Sequence, residues 1–366
     1  MKNNLILTKS LYFCTVFCIS MKRTFLFAIL GLFLFTQAYS QDKTPRVTLD
    51  NLQLNTRADF TVDYHTGSGG VAPSSDHGFA GKYLVVALDG TIGTKFSYHL
   101  RQRLNSPNIG FANTFFQGTD WAYLNWSFAD NLYLSAGKQV VAIGGWEYDS
   151  NPIDIYYGTE FWNQVCCYEV GTSINYVSGS GKNHFLFQVC NSPFINAAMQ
   201  SIYAYNLMWY GDFGHFKTAY SANMIEYTQG KFINYLSLGN KLQFDGVEMY
   251  LDMLNRASFE QEHFFGQDIT AIFGIGVDLG EKWIVFAKAG YDYNQAQLPN
   301  ADPFDSYVEP GTKVDFESVG FEFYPLGDRS LRLHLCGSHT SVDGDSKFQA
   351  NLGLTWKVDL LHARKN

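Results

Sequence analysis

Apolar and polar side chains alternate along much of this chain with a period of two. The clearest stretch covers residues 95–104, where the odd positions are polar and mostly basic, and the even positions are apolar apart from Gln102. Successive side chains of a β-strand point to opposite faces of the sheet. The stretch therefore predicts a strand with one basic face and one apolar face. The basic face carries Lys95, Ser97, His99, Arg101 and Arg103, and the apolar face carries Phe96, Tyr98, Leu100 and Leu104.

A strand with this many basic side chains on one face indicates a barrel in a membrane. In a soluble β-sandwich the inner face forms an apolar core, whereas the outer face of a membrane barrel meets lipid and its inner face meets water. Residues 52–64 alternate in the same way, with Phe60 and Val62 on one face and Arg57 and Asp59 on the other. Both stretches therefore predict strands of one transmembrane barrel.

About sixteen such stretches follow one another, separated by turn-forming residues. A barrel strand crosses the membrane with roughly 9–11 residues, so sixteen strands would occupy roughly 160 residues. The connections alternate between short turns and long loops, as in bacterial outer-membrane barrels. We predict an all-β fold, a transmembrane antiparallel β-barrel of about 16 strands, and the pattern leaves fourteen or eighteen strands open.

Three local predictions concern the connections. Gly, Ser and Pro residues between positions 65 and 81 predict a loop, followed by a strand at residues 82–89. Asp89-Gly90 has the sequence of a tight hairpin turn, so it is expected to lead directly into the basic strand. The longest insertion, residues 140–165, follows the fifth predicted strand, and we expect it to fold into the pore.

The first 40 residues differ from the rest of the chain. They contain four basic residues and no acidic one, and Met21-Lys22-Arg23 precedes an apolar run that ends at Ala38-Tyr39-Ser40. A basic start, a short apolar run and small residues are typical of a signal peptide. We expect residues 1–40 to be removed, with Met21 as an alternative start, and residues 41–366 to form a single barrel domain.

The composition of the remaining chain argues against several classes of protein. It has 22 basic and 34 acidic side chains, a net charge of −12, so binding to nucleic acid is not expected. Charged residues make up 16% of the whole chain, against roughly 25% in soluble domains. No stretch of about 18 apolar residues follows residue 40, so transmembrane helices are not expected.

Four cysteines follow the first 40 residues, at Cys166, Cys167, Cys190 and Cys336. They lack the spacing of a metal site, and neither a metal nor a cofactor is expected. We interpret them as small apolar residues on strands. A disulfide from Cys166 or Cys167 to Cys190 stays open, because an exported protein meets an oxidising compartment.

Five short motifs lie between residues 95 and 157: His99-Leu-Arg-Gln-Arg-Leu104, Ala122-Tyr-Leu124, Ala136-Gly-Lys-Gln139, Gly144-Gly-Trp-Glu-Tyr148 and Asn151-Pro152. In this order and spacing they resemble the phosphate-selective porin family of Gram-negative outer membranes. The resemblance implies a 16-stranded trimeric barrel whose third outer loop folds inward and narrows the pore. It also implies that Arg101, Arg103 and Lys138 line an anion path.

The long insertion departs from that resemblance in its charge. Phosphate selectivity in the family implies a ring of lysines and a ladder of arginines near the constriction. Residues 140–165 contain no Lys or Arg at all, and their charged residues are Glu147, Asp149, Asp154 and Glu160. The charge of the insertion therefore argues against selectivity for phosphate.

We hypothesise that the acidic insertion faces the basic strand across a narrow eyelet, because rings of charge and pore width set the selectivity of a passive pore. Lys95, Arg101 and Arg103 would form the positive side, and Glu147, Asp149 and Asp154 the negative side. His99 and Lys138 are also expected to line the pore. Two plainer interpretations stay open: the wall charges are only solvated or paired, and the acids only bind divalent cations or lipopolysaccharide.

Together these features predict an outer-membrane porin through which small hydrophilic solutes or anions, including phosphate, diffuse passively. The expected partners are outer-membrane lipid, lipopolysaccharide, the solutes and two further copies in a homotrimer. A non-conducting barrel that acts as a receptor or adhesin is the alternative. An enzyme is not expected, because the spacing indicates no Ser or Asp partner for His99.

Overall fold

The structure is a computed structural model that describes residues 46–67, 72–105, 118–194, 201–258, 263–295, 308 and 310–361. It separates the chain into two units, residues 1–47 and residues 48–366. The predicted signal peptide, residues 1–40, lies outside the described residues and stays a prediction. The barrel belongs to the second unit.

Within the described residues, sixteen strands form one closed antiparallel barrel. The strands are β1 (Asn51–His65), β2 (Ser74–Ile92), β3 (Phe96–Arg103), β4 (Thr119–Ala129), β5 (Leu132–Val140), β6 (Tyr168–Val177), β7 (Asn183–Asn191), β8 (Tyr203–Asp212), β9 (Phe216–Thr228), β10 (Lys231–Phe244), β11 (Val247–Ser258), β12 (Asp268–Asp278), β13 (Trp283–Asn294), β14 (Lys313–Phe323), β15 (Leu331–Val342) and β16 (Asp345–Asp359). Neighbours in the chain are neighbours in the sheet, and β1 closes the barrel by pairing with β16. The predicted fold class and a count of sixteen strands are confirmed.

The alternation of the sequence separates the two faces of the barrel wall. In β8, the side chains of Tyr203, Tyr205 and Leu207 are exposed, whereas Ala204 and Asn206 between them are fully buried. Apolar side chains on the outer face are suited to lipid, and polar side chains on the inner face are suited to a watery interior. The same division recurs around the barrel and explains why a period of two located its strands.

Short and long connections lie at opposite ends of the barrel, because every second connection of an antiparallel barrel is at the same end. The short-turn end carries residues 93–95, 130–131, 178–182, 213–215, 245–246, 279–282 and 324–330. The other end carries the long connections but also two of only two residues, 229–230 and 343–344. Each of these contains a glycine in the left-handed region, Gly230 at φ 76° and Gly344 at φ 95°, which a two-residue hairpin turn favours.

The predicted strand at residues 82–89 is present, but its bounds and the turn predicted after it were wrong. β2 begins at Ser74 and pairs with β1 from Ser74↔His65 onwards, so most of the predicted loop at residues 65–81 is strand. Cross-strand pairing along β1 outweighs the low strand propensity of the Gly and Ser residues there. The chain also passes straight through Asp89-Gly90 and turns only at residues 93–95.

Gly90 is needed for a close approach rather than for a turn. A Cβ atom at Gly90 would lie 2.1 Å from the carbonyl oxygen of Thr48 and 2.4 Å from the hydroxyl of Tyr98. The Tyr98 hydroxyl fills that space and donates a hydrogen bond of 2.6 Å to the Thr48 carbonyl. A glycine inside a strand commonly marks such an approach.

Gln102, the one polar residue on the apolar side of the basic strand, lies at a break in the β-ladder. The register between β3 and β4 shifts between Arg101 and Gln102. Gln102 is buried, and its side-chain oxygen accepts a hydrogen bond of 2.6 Å from Thr119 Oγ1. The irregularity re-aims one side chain, as β-bulges do, and so accounts for the exception in the pattern.

The connection between β5 and β6, residues 141–167, is named the lumen loop. It contains the short helices α1 (Trp146–Asp149) and α2 (Glu160–Gln164), separated by a 3₁₀ turn at Pro152–Asp154. In the described part of the chain, no helix has the length and apolar character needed to cross a membrane.

The apolar core of the barrel lies between the lumen loop and the inner wall. The loop contributes Val141, Ile143, Phe161 and Val165, all buried. Each such side chain contributes about 1.5–3 kcal/mol when fully buried, so the loop is packed rather than loosely held. Cys190 is buried in the same core, and its thiol and those of Cys166, Cys167 and Cys336 are free. The other members are Ala204, Ile225, Tyr227, Ile233, Tyr235, Leu254 and Val308.

Candidate pore constriction

The lumen loop is shaped by local capping interactions. The side chain of Asn151 accepts a hydrogen bond from the backbone nitrogen of Ile153, and Pro152 occupies the first position of the 3₁₀ turn. Thr159 Oγ1 accepts a bond of 3.1 Å from the backbone nitrogen of Trp162 and so caps α2. Asn and Thr at these positions satisfy backbone donors that a helix leaves free.

The lumen loop contacts strands on all sides of the barrel. Its hydrogen-bond partners include Arg57 on β1, Ser221 on β9, Asp252 on β11, Lys288 on β13 and Arg332 on β15. These side chains belong to the inner, polar face of the wall. A segment that touches opposite walls must cross the interior of the barrel.

The loop begins with a backbone contact that only glycine permits. The backbone nitrogen of Gly144 donates to Ser221 Oγ at 2.8 Å, and that of Gly145 donates to the carbonyl oxygen of Ala219 at 3.1 Å. A Cβ atom at Gly144 would lie 2.5 Å from that carbonyl oxygen, and one at Gly239 would lie 2.9 Å from the Cα of Gly145. The absence of side chains at Gly144 and Gly239 therefore lets the loop lie directly on the backbone of β9 and β10.

Glu147, in α1, anchors the first half of the loop. Its Oε1 lies 2.7 Å from Lys288 Nζ, and its Oε2 accepts a hydrogen bond of 2.8 Å from Thr159 Oγ1. Its backbone nitrogen donates to Asp252 Oδ2 at 2.8 Å. Lys288 also donates to the carbonyl oxygen of Tyr157. Glu147 thus ties α1, α2 and the wall together instead of facing the open pore.

Asp154 lies at the tip of the loop, the 3₁₀ turn, and anchors it to β15 and β16, across the barrel from β5 and β6. Its Oδ1 lies 2.7 Å from Arg332 Nη1 and 3.2 Å from Lys357 Nζ. Burial raises the pKa of Asp154, but the charges of Arg332 and Lys357 outweigh that effect and hold the pKa below its ordinary value of 3.8. Arg57 Nη1 donates to the carbonyl oxygen of Ile155 at 2.6 Å, so three wall cations hold the tip.

Arg101 and Arg103 share one carboxylate on the neighbouring strand. Arg101 Nε lies 3.1 Å from Asp120 Oδ2, and Arg103 Nε lies 2.7 Å from Asp120 Oδ1. Arg101 also reaches the loop, where its Nη2 donates to Asn151 Oδ1 at 2.9 Å. The guanidinium carbon of Arg101 lies 4.8 Å from the ring centre of Trp121. The arginines therefore line the wall beside the loop but pair with Asp120, not with the loop acids.

The remaining residues of the hypothesised eyelet are dispersed. Lys95 is exposed in the turn 93–95, at the end of the barrel opposite to the loop's attachment. Asp149 is exposed, and its Oδ1 accepts a hydrogen bond of 2.9 Å from the Tyr210 hydroxyl. Lys138 lies on β5, opposite Ala122 of β4. The acids and basic side chains named in the sequence therefore do not face each other as one pair of charged walls.

His99 has the partners that its sequence spacing did not indicate. Its Nδ1 lies 2.6 Å from Asp89 Oδ1, and its Nε2 lies 3.2 Å from Ser97 Oγ. Asn125 Nδ2 donates to the same serine at 3.1 Å. These residues lie next to one another on β2, β3 and β4, and they form a hydrogen-bonded patch of the inner wall.

Several residues that hold the loop, or the arginines beside it, were not identified from the sequence. Asp120 precedes the apolar alternation of its strand, and the register shift at Arg101 hides its position opposite the arginines. Lys288 and Arg332 are separated from their loop partners by 141 and 178 positions. Only closure of the barrel brings such residues together, so the sequence carried no local signal for them.

Four cavities border the lumen loop, with volumes of about 650, 560, 210 and 120 Å³. The largest lies at the long-loop end, between the loop and the ends of β1, β2, β15 and β16. The smallest shares Gly158 with the largest, and it shares Tyr83 and Trp162 with the second. The three are therefore neighbours along one side of the loop.

Comparison with known proteins identifies the same family that the sequence motifs resemble. The sequence profile of phosphate-selective porin O and P matches residues 51–254, more than half of the chain. This region runs from β1 to β11 and includes the whole lumen loop. Among curated proteins, no significant match to the chain is found.

Solved structures share the fold at low sequence identity. The anion-selective porin from Comamonas acidovorans is 10% identical, with 86% of this chain and 100% of that chain covered and a TM-score of 0.61. The outer membrane channel DcaP of Acinetobacter baumannii is 11% identical, with 87% and 99% covered and a TM-score of 0.60. The trimer form of OmpT from Vibrio cholerae is 10% identical, with 85% and 99% covered and a TM-score of 0.55. At these identities the similarity concerns the fold.

Proposed function

We propose that this chain, which belongs to the phosphate-selective porin O and P family, passes small hydrophilic solutes with little preference between anions and cations. The protein is an outer-membrane porin of Gram-negative type, a channel for passive diffusion. The proposal concerns which solutes the channel prefers. The observation that supports weak selectivity is the pairing of the charges around the lumen loop.

The wall cations that contact the lumen loop lie beside carboxylates, and the two arginines of β3 share one. Lys288 pairs with Glu147 at 2.7 Å, Arg332 with Asp154 at 2.7 Å, and Asp120 with both arginines of β3. Rings of like charge produce ion selectivity in a pore. Paired charges leave little net field, so they favour a weakly selective channel over an anion-selective one.

Preference for phosphate is the competing proposal. The family's description names phosphate, and the Comamonas porin is described as anion-selective. A phosphate site needs several donors that are not already engaged with carboxylates. Residues 140–165 supply no Lys or Arg, and the Asp120 carboxylate beside Arg101 and Arg103 would repel phosphate.

The test is the reversal potential of the folded protein in a planar bilayer, measured in a potassium chloride gradient before and after phosphate is added. We expect an anion-to-cation permeability ratio near one and no block by phosphate. Strong anion preference with block by low phosphate would overturn the proposal in favour of phosphate transport. A folded barrel without current would indicate a receptor or adhesin, which the tightly packed loop would suit.

Further parts of the proposal concern assembly and export. We infer a homotrimer, since the similar OmpT structure is a trimer form, and contact with lipid and lipopolysaccharide through the apolar outer face. Residues 1–40 would serve as the signal peptide. Chemical cross-linking in detergent and the N-terminal sequence of the mature protein test these points.

A further inference from the structure

The second cavity, of about 560 Å³, differs from an ordinary water-filled space in a porin. It lies between the lumen loop and the wall formed by β2 to β6. Pockets of roughly 300–1,000 Å³ with aromatic walls and a few fixed polar groups are typical of small-molecule sites. Five aromatic side chains line it: Tyr83, Trp121, Tyr148, Trp162 and Tyr168. We name it the aromatic cavity.

The charges in the aromatic cavity balance. Arg101 and Arg103 contribute two positive charges, and Asp120 and Asp149 contribute two negative charges. The Asp120 carboxylate lies between the two guanidinium groups, with 5% of its side chain exposed. The charges of Asp120 and Asp149 would repel an anion that entered, so the site is not built for net negative charge.

Polar groups nevertheless face the cavity in fixed positions. Arg103 lies 5.4 Å from the ring centre of Tyr83, and 30% of its side chain is exposed. Its planar guanidinium group carries five N–H donors, of which Asp120 engages the one on Nε. Asn151 and Asn163 add amide groups from the loop side. A solute that fits must have many hydrogen-bonding oxygens but no net charge.

We propose that the aromatic cavity binds neutral, hydroxyl-rich solutes, namely sugars of one or two rings, as they pass through the pore. The C–H faces of a sugar ring pack on flat aromatic rings, and its hydroxyl groups pair with arginine, carboxylate and amide groups. A purely apolar solute would bury those polar groups without partners, which is unfavourable. This inference rests on the proposed function and names its solute class.

The position of the cavity supports binding during passage. Through the 120 Å³ cavity it adjoins the large space at the long-loop end, with which that cavity shares Lys82 and Gln349. At its other side it shares Ser150 with the 210 Å³ cavity on the wall of β11 to β14. A solute that passes this side of the lumen loop therefore has the aromatic cavity beside it.

The test adds glucose or maltose to the folded protein in a planar bilayer at fixed potassium chloride. We expect a saturable fall in current for the unaltered protein. Trp121→Ala should raise the half-blocking sugar concentration about tenfold, which corresponds to about 1.4 kcal/mol. Trp126→Ala is the matched control, because Trp126 is on the same strand but is an exposed residue of the outer face. It should leave the concentration unchanged.

A second variant tests the role of charge. Asp120→Asn should weaken the sugar block, shift the reversal potential towards anion preference and introduce a block by phosphate. Heat-modifiable electrophoretic mobility shows whether each variant is a folded barrel, and Asp120→Glu keeps the charge if the amide variant fails to fold.

The outcomes separate this inference from the proposed function. A conducting protein without a saturable sugar block, or equal effects of the two tryptophan variants, would overturn the sugar site and leave the porin assignment intact. Absence of current would instead count against the proposed function.

Discussion

Lys288 Nζ lies 2.7 Å from Glu147 Oε1, and this contact joins the lumen loop to β13 across 141 positions of sequence. The two side chains are 10% and 3% exposed. A buried ion pair contributes little when compared with a well-packed apolar pair, but loss of one partner leaves a buried charge unmatched. The pair therefore makes the loop sensitive to either residue alone.

Glu147→Gln should release the loop. The amide keeps the bond to Thr159 but leaves Lys288 without its counter-charge, at a cost of about 3 kcal/mol. That cost shifts the equilibrium between docked and released loop about a hundredfold. We expect a larger and noisier single-channel conductance. Glu317→Gln is the control, because Glu317 also accepts from a basic side chain but is 63% exposed. A conductance equal in both variants would show that the pair does not hold the loop.

A second prediction concerns the contact between Gly144 and β9. Gly144→Ala would place a Cβ atom 2.5 Å from the carbonyl oxygen of Ala219, and overpacking of this kind costs about 1–3 kcal/mol. The loop should move away from the wall, so chymotrypsin should cleave near its aromatic residues at least a few times faster. Gly337→Ala is the control, since nothing lies within 4 Å of that position. Equal cleavage rates would mean that the loop tolerates the extra methyl group.

The sequence allowed the barrel to be predicted but not the arrangement of its charges. Alternation is a local property, so sixteen strands were visible without knowledge of their partners. The pairing of Asp154 with Arg332 depends on closure of the barrel and spans 178 positions. The hairpin turn predicted at Asp89-Gly90 was wrong because that glycine also serves contacts between residues distant in sequence. Gly90 lacks a side chain because Tyr98 and Thr48 occupy the adjacent space, and only the folded sheet brings these residues close to it.

The basic strand illustrates where a local pattern stops being informative. Its alternation correctly placed Arg101 and Arg103 on the inner face. It did not reveal that Asp120 lies between them, because the register shift at Gln102 breaks the simple pairing of β3 with β4. Arg101 and Arg103 of the predicted eyelet therefore line the wall but pair with Asp120. Lys95 lies in an exposed turn, and Glu147 and Asp154 of the loop pair with cations of other strands.

A third prediction concerns the hydrogen-bonded group of Ser97, His99 and Asp89. It has the order of a nucleophile, base and orienting acid, but the four cavities beside the loop are lined by other residues. Acyl transfer needs a substrate held near the nucleophile and donors for its oxyanion. We expect hydrolysis of p-nitrophenyl acetate at the rate without protein. A rate that falls with Ser97→Ala but not with Ser127→Ala would contradict this expectation.

The last prediction concerns acid. The pKa of Asp154 is held below its ordinary value of 3.8 by Arg332 and Lys357, against the opposing effect of burial. A carboxyl group with a lowered pKa stabilises the folded contact above its ordinary pKa, and the contribution is lost as the pH falls through the lowered value. The tip of the loop should therefore stay anchored from neutral pH down to about pH 4 and loosen below it.

Conductance measured between pH 7 and pH 3 checks this behaviour. The unaltered protein should show a rise in conductance and current noise only at the acidic end. Asp154→Asn should show that rise already at pH 7, because Arg332 and Lys357 then lack the charge that draws the tip to the wall. The variant should change less on acidification than the unaltered protein does. If both respond alike to acid, other carboxyl groups control the loop, and the anchor at its tip is not what acid releases.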